Sequence, residues 1–139
     1  MTDDERDAIE RSCKKLSIAY AKHADFRDYN TFVDLFTEDG VLEIYGQEIK
    51  GRAALLATMS SRPENRRSLH LLTNIWIDVL DADHAVGGAY LTVFSVDFDG
   101  DGPAPLQGAR MVGNYEDEFV RGTEGWRIAR RKLTAVFKK

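Results

Sequence analysis

The chain is poor in cysteine and histidine, and it lacks long apolar runs and any excess of basic charge. Each scarcity closes off a class of protein. One cysteine, Cys13, rules out an internal disulfide and suits a reducing compartment. The three histidines and Cys13 stand in no recognised ligand spacing, so no metal site is expected. No run of about 18 apolar residues occurs, so no membrane-spanning helix is expected. Nineteen Lys and Arg face 23 Asp and Glu, a net charge of −4, and the basic clusters Lys14-Lys15, Arg66-Arg67 and Arg130-Arg131-Lys132 are short. A nucleic-acid binder ordinarily carries a basic face, which disfavours that class. Neither a glycine-rich phosphate loop nor a serine-elbow motif is present. The start "MTDDERDAIERS" lacks the basic and apolar regions of a secretory signal, and a cytoplasmic protein is the expectation.

What remains is an ordinary globular composition, 43% hydrophobic and 30% charged, in a length of 139 residues that suits one domain. The first periodic stretch places Ile9, Cys13, Leu16, Ala19 and Tyr20 at helical spacing and predicts a helix from about Asp4 to Ala24, with Thr2 or Asp3 at its start. Asp28 is a candidate cap for a short second helix carrying Phe32, Val33, Leu35 and Phe36 and ended by the "EDG" at Glu38–Gly40. "VLEIYG" predicts a short strand, and "GRAALLATMSSRP" a third helix that Pro63 stops.

From Ser68 the period changes from helical to alternating. Four long strands are expected: "LHLLTNIWIDVL", "AVGGAYLTVFSVDF", "QGARMVGNYEDEFVR" and "WRIARRKLTAVF". Helices first and an antiparallel meander after them argue an α+β domain, with about three N-terminal helices on one face of a curved sheet. Gly87-Gly88 inside a strand signals a bend or bulge.

In the first long strand, strict alternation puts His70, Leu72, Asn74 and Trp76 on one face, and Leu69, Leu71, Thr73, Ile75 and Ile77 on the other. The helices can cover one face. The other is too apolar for water, so a homodimer or larger homo-oligomer is expected. His70 is the unusual member of this strand. It serves either as a working base or as a satisfied core histidine. Asn74 can bind a substrate oxygen, and Trp76 can wall a pocket or fill a core. Tyr20 offers a hydroxyl or simply an aromatic on the apolar stripe. Tyr45 and Tyr90 read as packing residues of strands. "DFDGDG" imitates the start of a calcium loop, but Gly108 stands at the twelfth position and Pro103 and Pro105 interrupt it, so a solvated hairpin loop is the better account. Cys13 reads as packing, His23 as lying outside any pocket, and His84 as exposed in a turn.

The pattern Y-x4-D-x2-D-x6-LF-x2-DG from Tyr20 to Gly40, the H-x2-TN at His70, and the ending "VGNYEDEFVR…GWRIARR" together resemble the SnoaL-like branch of the nuclear-transport-factor-2-like (cystatin-like) superfamily. The resemblance covers nearly the whole chain. It implies a cone-shaped curved sheet closed by the N-terminal helices, with an internal pocket. It also implies that Asp25 meets His70, as the corresponding residues do in family members such as scytalone dehydratase and hexachlorocyclohexane dehydrochlorinase. Arg110 then falls on a pocket-lining strand, where it either holds a carboxylate or enolate oxygen or stands solvated. Val112 stands near the position of scytalone dehydratase's second histidine, so a two-histidine mechanism is not implied.

Two functions fit this resemblance. One is a cofactor-free lyase or isomerase, with His70 and Asp25 as catalytic pair and Tyr20, Asn74, Trp76 and Arg110 around a small, apolar, cyclic substrate. The other is a non-catalytic small-ligand binder, or a structural partner similar to the small subunit of ring-hydroxylating dioxygenases.

Overall fold

Thr2 opens the first element. Its hydroxyl accepts a hydrogen bond from the Glu5 N–H at 3.1 Å. Asp3, Asp4 and Glu5 place negative charge against the positive end of the helix dipole. In the computed structural model, which describes all 139 residues, this helix, α1, spans Asp3–Asp25. It buries Ile9, Cys13, Leu16, Ser17, Tyr20 and Ala24, the three- and four-residue spacing of a single helical face. Cys13 is fully buried there, and burial pushes its thiol up to about 12, so it stays protonated as a packing group. No helix of the chain is long and apolar enough to cross a membrane.

Asp28 caps α2, Tyr29–Asp34, by accepting from the Thr31 N–H at 3.4 Å. The second helix is shorter than the sequence suggests. The "EDG" expected to end it lies instead inside strand β1, Phe36–Ile44. Phe36 is fully buried and pairs with Ile128, then the register slips before Val41 pairs with Arg130. Thr37–Gly40 are therefore a bulge. Gly40 is needed in it, because a Cβ there would press on the Phe36 Cβ at 2.9 Å. Tyr45 and Gly46, both at positive φ, make the tight turn into β2, Gln47–Lys50. Helix α3 spans Arg52–Ser60.

Four long strands follow: β3 Arg66–Val79, β4 His84–Asp97, β5 Met111–Gly122 and β6 Gly125–Lys138; β5 starts four residues later than expected, so Arg110 stands just before the strand and not on it. They form an antiparallel meander. The six-stranded sheet runs β2-β1-β6-β5-β4-β3 and is curved and unclosed. Its one parallel pair is β1 with β6, because the last strand inserts beside the first rather than extending the edge. The core lies between the concave face of the sheet and α1, with Phe32 and Leu55 brought in by α2 and α3.

The bend signalled by Gly87-Gly88 is a bulge in the facing strand. Thr73 pairs with Tyr90 but Trp76 pairs with Gly88, so β3 carries one extra residue. Asn74 takes it up with a left-handed φ of 51°. Gly88 tolerates no side chain here, because a Cβ would run into the Trp76 ring and the Tyr115 carbonyl.

Candidate functional site

Asp25 is the last residue of α1, and the helix delivers its carboxylate to the start of β3. Oδ1 lies 2.6 Å from His70 Nδ1 and Oδ2 accepts the His70 backbone N–H at 2.8 Å. The Ser68 hydroxyl donates to Oδ1 at 3.0 Å and itself accepts from Arg62 Nη2 at 2.8 Å. Arg62 Nη1 donates to the Ala24 carbonyl at 3.1 Å, tying the β3 approach to the end of α1. Asp25 is thus held by three hydrogen-bond donors with its side chain 7% exposed. Burial works against its charge. The His70 side chain, the His70 backbone N–H and the Ser68 hydroxyl outweigh that burial and hold the carboxyl below its usual range. An ionised Asp25 accepts from Nδ1–H. In the neutral ring that tautomer leaves Nε2 with its lone pair.

His70 lines a cavity of about 300 Å³ bounded by α1, α3, β1 and the inner face of the meander. Its wall is mainly apolar, with Leu42, Ile44, Leu91, Val93, Met111 and Leu133. Tyr20 and Tyr115 also line it. Both are nearly fully buried, and burial raises both phenols above their usual value, so they face the cavity as neutral groups. Tyr20 packs tilted against Phe32 at 4.8 Å and edge-on against Tyr115 at 5.5 Å between ring centroids. A second cavity, of about 410 Å³, opens where β3 and β4 meet residues 104–108; Asp25 lines it, and it shares Arg66, Ser68 and Ser95 with the first.

Behind the two tyrosines lies an ion pair that sequence reading did not foresee. Arg131 and Asp117 have fully buried side chains. The guanidinium donates to both Asp117 oxygens, at 2.7 and 2.9 Å, and to the Ser17 hydroxyl at 2.6 Å. It lies 4.4 Å from the Tyr20 ring centroid and 4.1 Å from that of Tyr115. Asp117 gave a signal that was readable: it alternates with Tyr115 and Phe119 on the inward side of β5, where a carboxylate demands a cation.

Of the residues singled out from sequence, the structure brings Asp25 and His70 together, and sets Tyr20 and Arg110 in the same cavity as His70. Asn74 and Trp76 are not there. The bulge at Asn74 reverses the alternation, so Ser68, His70 and Leu72 face inward, and so do Ile75, Ile77 and Val79 beyond it. Asn74 is exposed, and Trp76 lies on the outer face, packed edge-on against Tyr90 at 6.4 Å. Residues missed by the sequence reading, Ser68 and Arg62, complete the environment of Asp25. In the "DFDGDG" loop, Arg67 takes the Gly100 carbonyl at 2.7 Å and the Gly102 carbonyl, and lies over the Phe98 ring. His84 is exposed and paired with Asp81 at 2.9 Å.

Comparison with known proteins identifies the family and the fold. A family model described as a SnoaL-like domain matches residues 5–132. Among curated proteins, none matches the chain in sequence. A protein of unknown function from Mycobacterium tuberculosis is similar at 29% identity and TM-score 0.75, over 88% of this chain and 73% of that one. A protein from Novosphingobium aromaticivorans, provisionally named a scytalone dehydratase, is 20% identical with TM-score 0.79, over 98% and 89% of the two chains. A type 2 hexachlorocyclohexane dehydrochlorinase is 15% identical with TM-score 0.81, over 98% and 90%. The last two likenesses are of fold. The match across nearly the whole length makes this chain a member of the SnoaL-like domain family, with the cystatin-like fold of its structural neighbours.

Proposed function

We propose that the protein is a cofactor-free lyase or isomerase of the dehydratase, dehydrochlorinase or cyclase type, acting on a small, largely apolar, cyclic molecule. The contact between Asp25 and His70 at the wall of an apolar cavity carries this reading. His70 Nε2 takes a proton from an acidified carbon of the ligand. The C–H electron pair then forms a double bond as a leaving group departs with its own bonding pair, or the proton returns to a different carbon. Asp25 fixes the tautomer and balances the imidazolium. A positioned base contributes about 10²–10⁴-fold. Orientation in the cavity and a donor at the developing oxyanion supply the rest, with the neutral Tyr20 hydroxyl and Arg110 as candidates. The names borne by two structural neighbours, a dehydratase and a dehydrochlorinase, support the reaction class.

The test is turnover or deuterium uptake from D2O by a panel of cyclic β-hydroxyketones and halogenated rings. Activity in the wild type and none in His70→Ala is expected. Panel members that bind but never react, with binding unchanged in His70→Ala, would instead fit a non-catalytic binder.

The outer face of the sheet supports a second proposal, association of the protein with itself. Leu69, Leu71, Trp76, Tyr90 and Phe137 are 40–68% exposed on that face. They sit in adjoining registers of β3, β4 and β6, with Thr92 and Val112 between Leu71 and Phe137. So much contiguous apolar surface is unusual on a monomer. Sedimentation at micromolar concentration is expected to show a dimer or larger species, and Trp76→Glu to dissociate it. A wild-type monomer would contradict the proposal. Cytoplasmic residence is proposed with it, on the lone buried Cys13.

A further inference from the structure

Three arginines converge at one end of the His70 cavity. Arg62 follows α3, Arg66 opens β3 and Arg110 precedes β5; all three line the cavity, and no aspartate or glutamate does. Two of them are engaged. Arg66 pairs with Asp97 at 2.9 Å, and Arg62 holds Ser68 and the Ala24 carbonyl. Arg110 is different. Its backbone is anchored, with its N–H donating to the Val93 carbonyl at 2.7 Å. Its exposed side chain has neither a hydrogen bond nor an ion pair, although it stands beside the apolar wall formed by Val93 and Met111.

Asp97 lies within reach of the same three charges. Its carboxyl is held below the usual range first by the hydrogen bond from Arg66, against some burial, and then by the charges of Arg66, Arg110 and Arg62. The three arginines share one cavity lining, and Arg66 pairs with Asp97 beside it. Asp97 is the only carboxylate that answers them there, since Asp25 is turned to His70 and Ser68. The region is left with a surplus of positive charge at the rim of a cavity whose body is apolar.

That division of the cavity describes its ligand. We infer that the natural ligand is a cyclic carboxylic acid, with its carboxylate bound by Arg110 in the field of Arg62 and Arg66 and its ring against the apolar wall beside His70. The guanidinium fork matches a carboxylate through two parallel N–H···O bonds, a geometry that neither an alcohol nor an amide reproduces. Anchoring one end of the molecule also fixes which of its carbons meets Nε2. The inference rests on the proposed function in taking this cavity as the substrate site, and it narrows the substrate class from apolar rings to acids.

Binding separates this inference from the catalytic one. The probes are cyclohexanecarboxylate and benzoate, each set against its neutral amide, titrated into the full chain by calorimetry with the His70 and Ser95 amide resonances followed by NMR. The carboxylates are expected to bind at least roughly tenfold more tightly than the amides, the discrimination a charge-assisted pair gives. Added salt should weaken only the carboxylates. Arg110→Gln, at an exposed position, should erase most of the preference, weakening the acids far more than the amides. Equal affinity for acid and amide overturns the inference. So does a preference that survives Arg110→Gln, and so does failure of both acids to bind at about 10 mM, where binding would be worth less than about 3 kcal/mol. None of these outcomes touches proton abstraction by His70, which the exchange assay decides. Conversely, a clear acid preference in a protein whose turnover ignores His70→Ala keeps this inference and ends the catalytic one.

Discussion

If the proposed reaction is the protein's own, Asp25→Asn is expected to lower turnover by about 10²–10⁴-fold, as much as loss of the general base itself, while the fold survives. The size follows from hydrogen-bond directions. In the wild type, Oδ2 accepts from the His70 backbone N–H, and Oδ1 accepts from Ser68 and from the imidazole. Asparagine has one acceptor oxygen and one donor nitrogen. The backbone N–H cannot change its role, so it keeps the oxygen, and the amide NH2 faces Nδ1. Nδ1 must then accept, the ring proton moves to Nε2, and the base is blocked by its own hydrogen. A wrong tautomer with unchanged geometry is a known route to losses at the top of this range. Affinity for a ligand in the cavity should change little, because Asp25 does not line it. Stability also gains a pH signature. A carboxyl lowered by folding contributes stability above its ordinary range and loses it as pH falls through the folded-state value, so the wild type weakens in acid by a component that Asp25→Asn lacks.

Removal of either member of the buried ion pair has the largest expected effect on stability. Asp117→Leu strands a fully buried guanidinium, and Arg131→Met strands a fully buried carboxylate. Each should cost about 3–5 kcal/mol, a large share of the 5–15 kcal/mol typical of a domain. The arginine also lies between Tyr20 and Tyr115, so its loss should loosen the cavity wall. The double variant removes both charges and should recover most of the loss, since a well-packed apolar pair can match a buried ionic one. Denaturant midpoints of the two single variants and the double variant measure this. Single-variant costs below about 1 kcal/mol, the range of a surface pair, would show that the pair is not desolvated as described.

The sequence was readable wherever its periodicity was unbroken and misleading wherever a strand bulged. Helix α1 and the four long strands follow directly from spacing and turn residues. The pairing of Asp25 with His70 did not follow from spacing; it came from resemblance, because nothing local says that a helix end and a strand start will meet. The misplacements are local. Thr37–Gly40 look like a helix stop and are a bulge in β1. Asn74 takes an extra position in β3, which moves Trp76 to the opposite face from His70. In β6 the register slips between Ile128, paired with Phe119, and Arg130, paired with Glu118. Counting by twos from Ile128 would bury Arg130; the slip buries Arg131 instead, and Arg130 turns to Glu43 and Glu48. A single inserted residue reverses every side chain beyond it. Only the inward Asp117, an acid alternating with aromatics, hinted that a cation must arrive from elsewhere.

The orientation of the His70 imidazole decides the central claim, and it can be read without knowing the substrate. Nitrogen-15 NMR of the ring at neutral pH, in the intact wild-type chain, is expected to show hydrogen on Nδ1 and a bare Nε2, with the pattern reversed in Asp25→Asn. Hydrogen on Nε2 in the wild type, or a ring that tumbles between tautomers regardless of Asp25, would contradict the account.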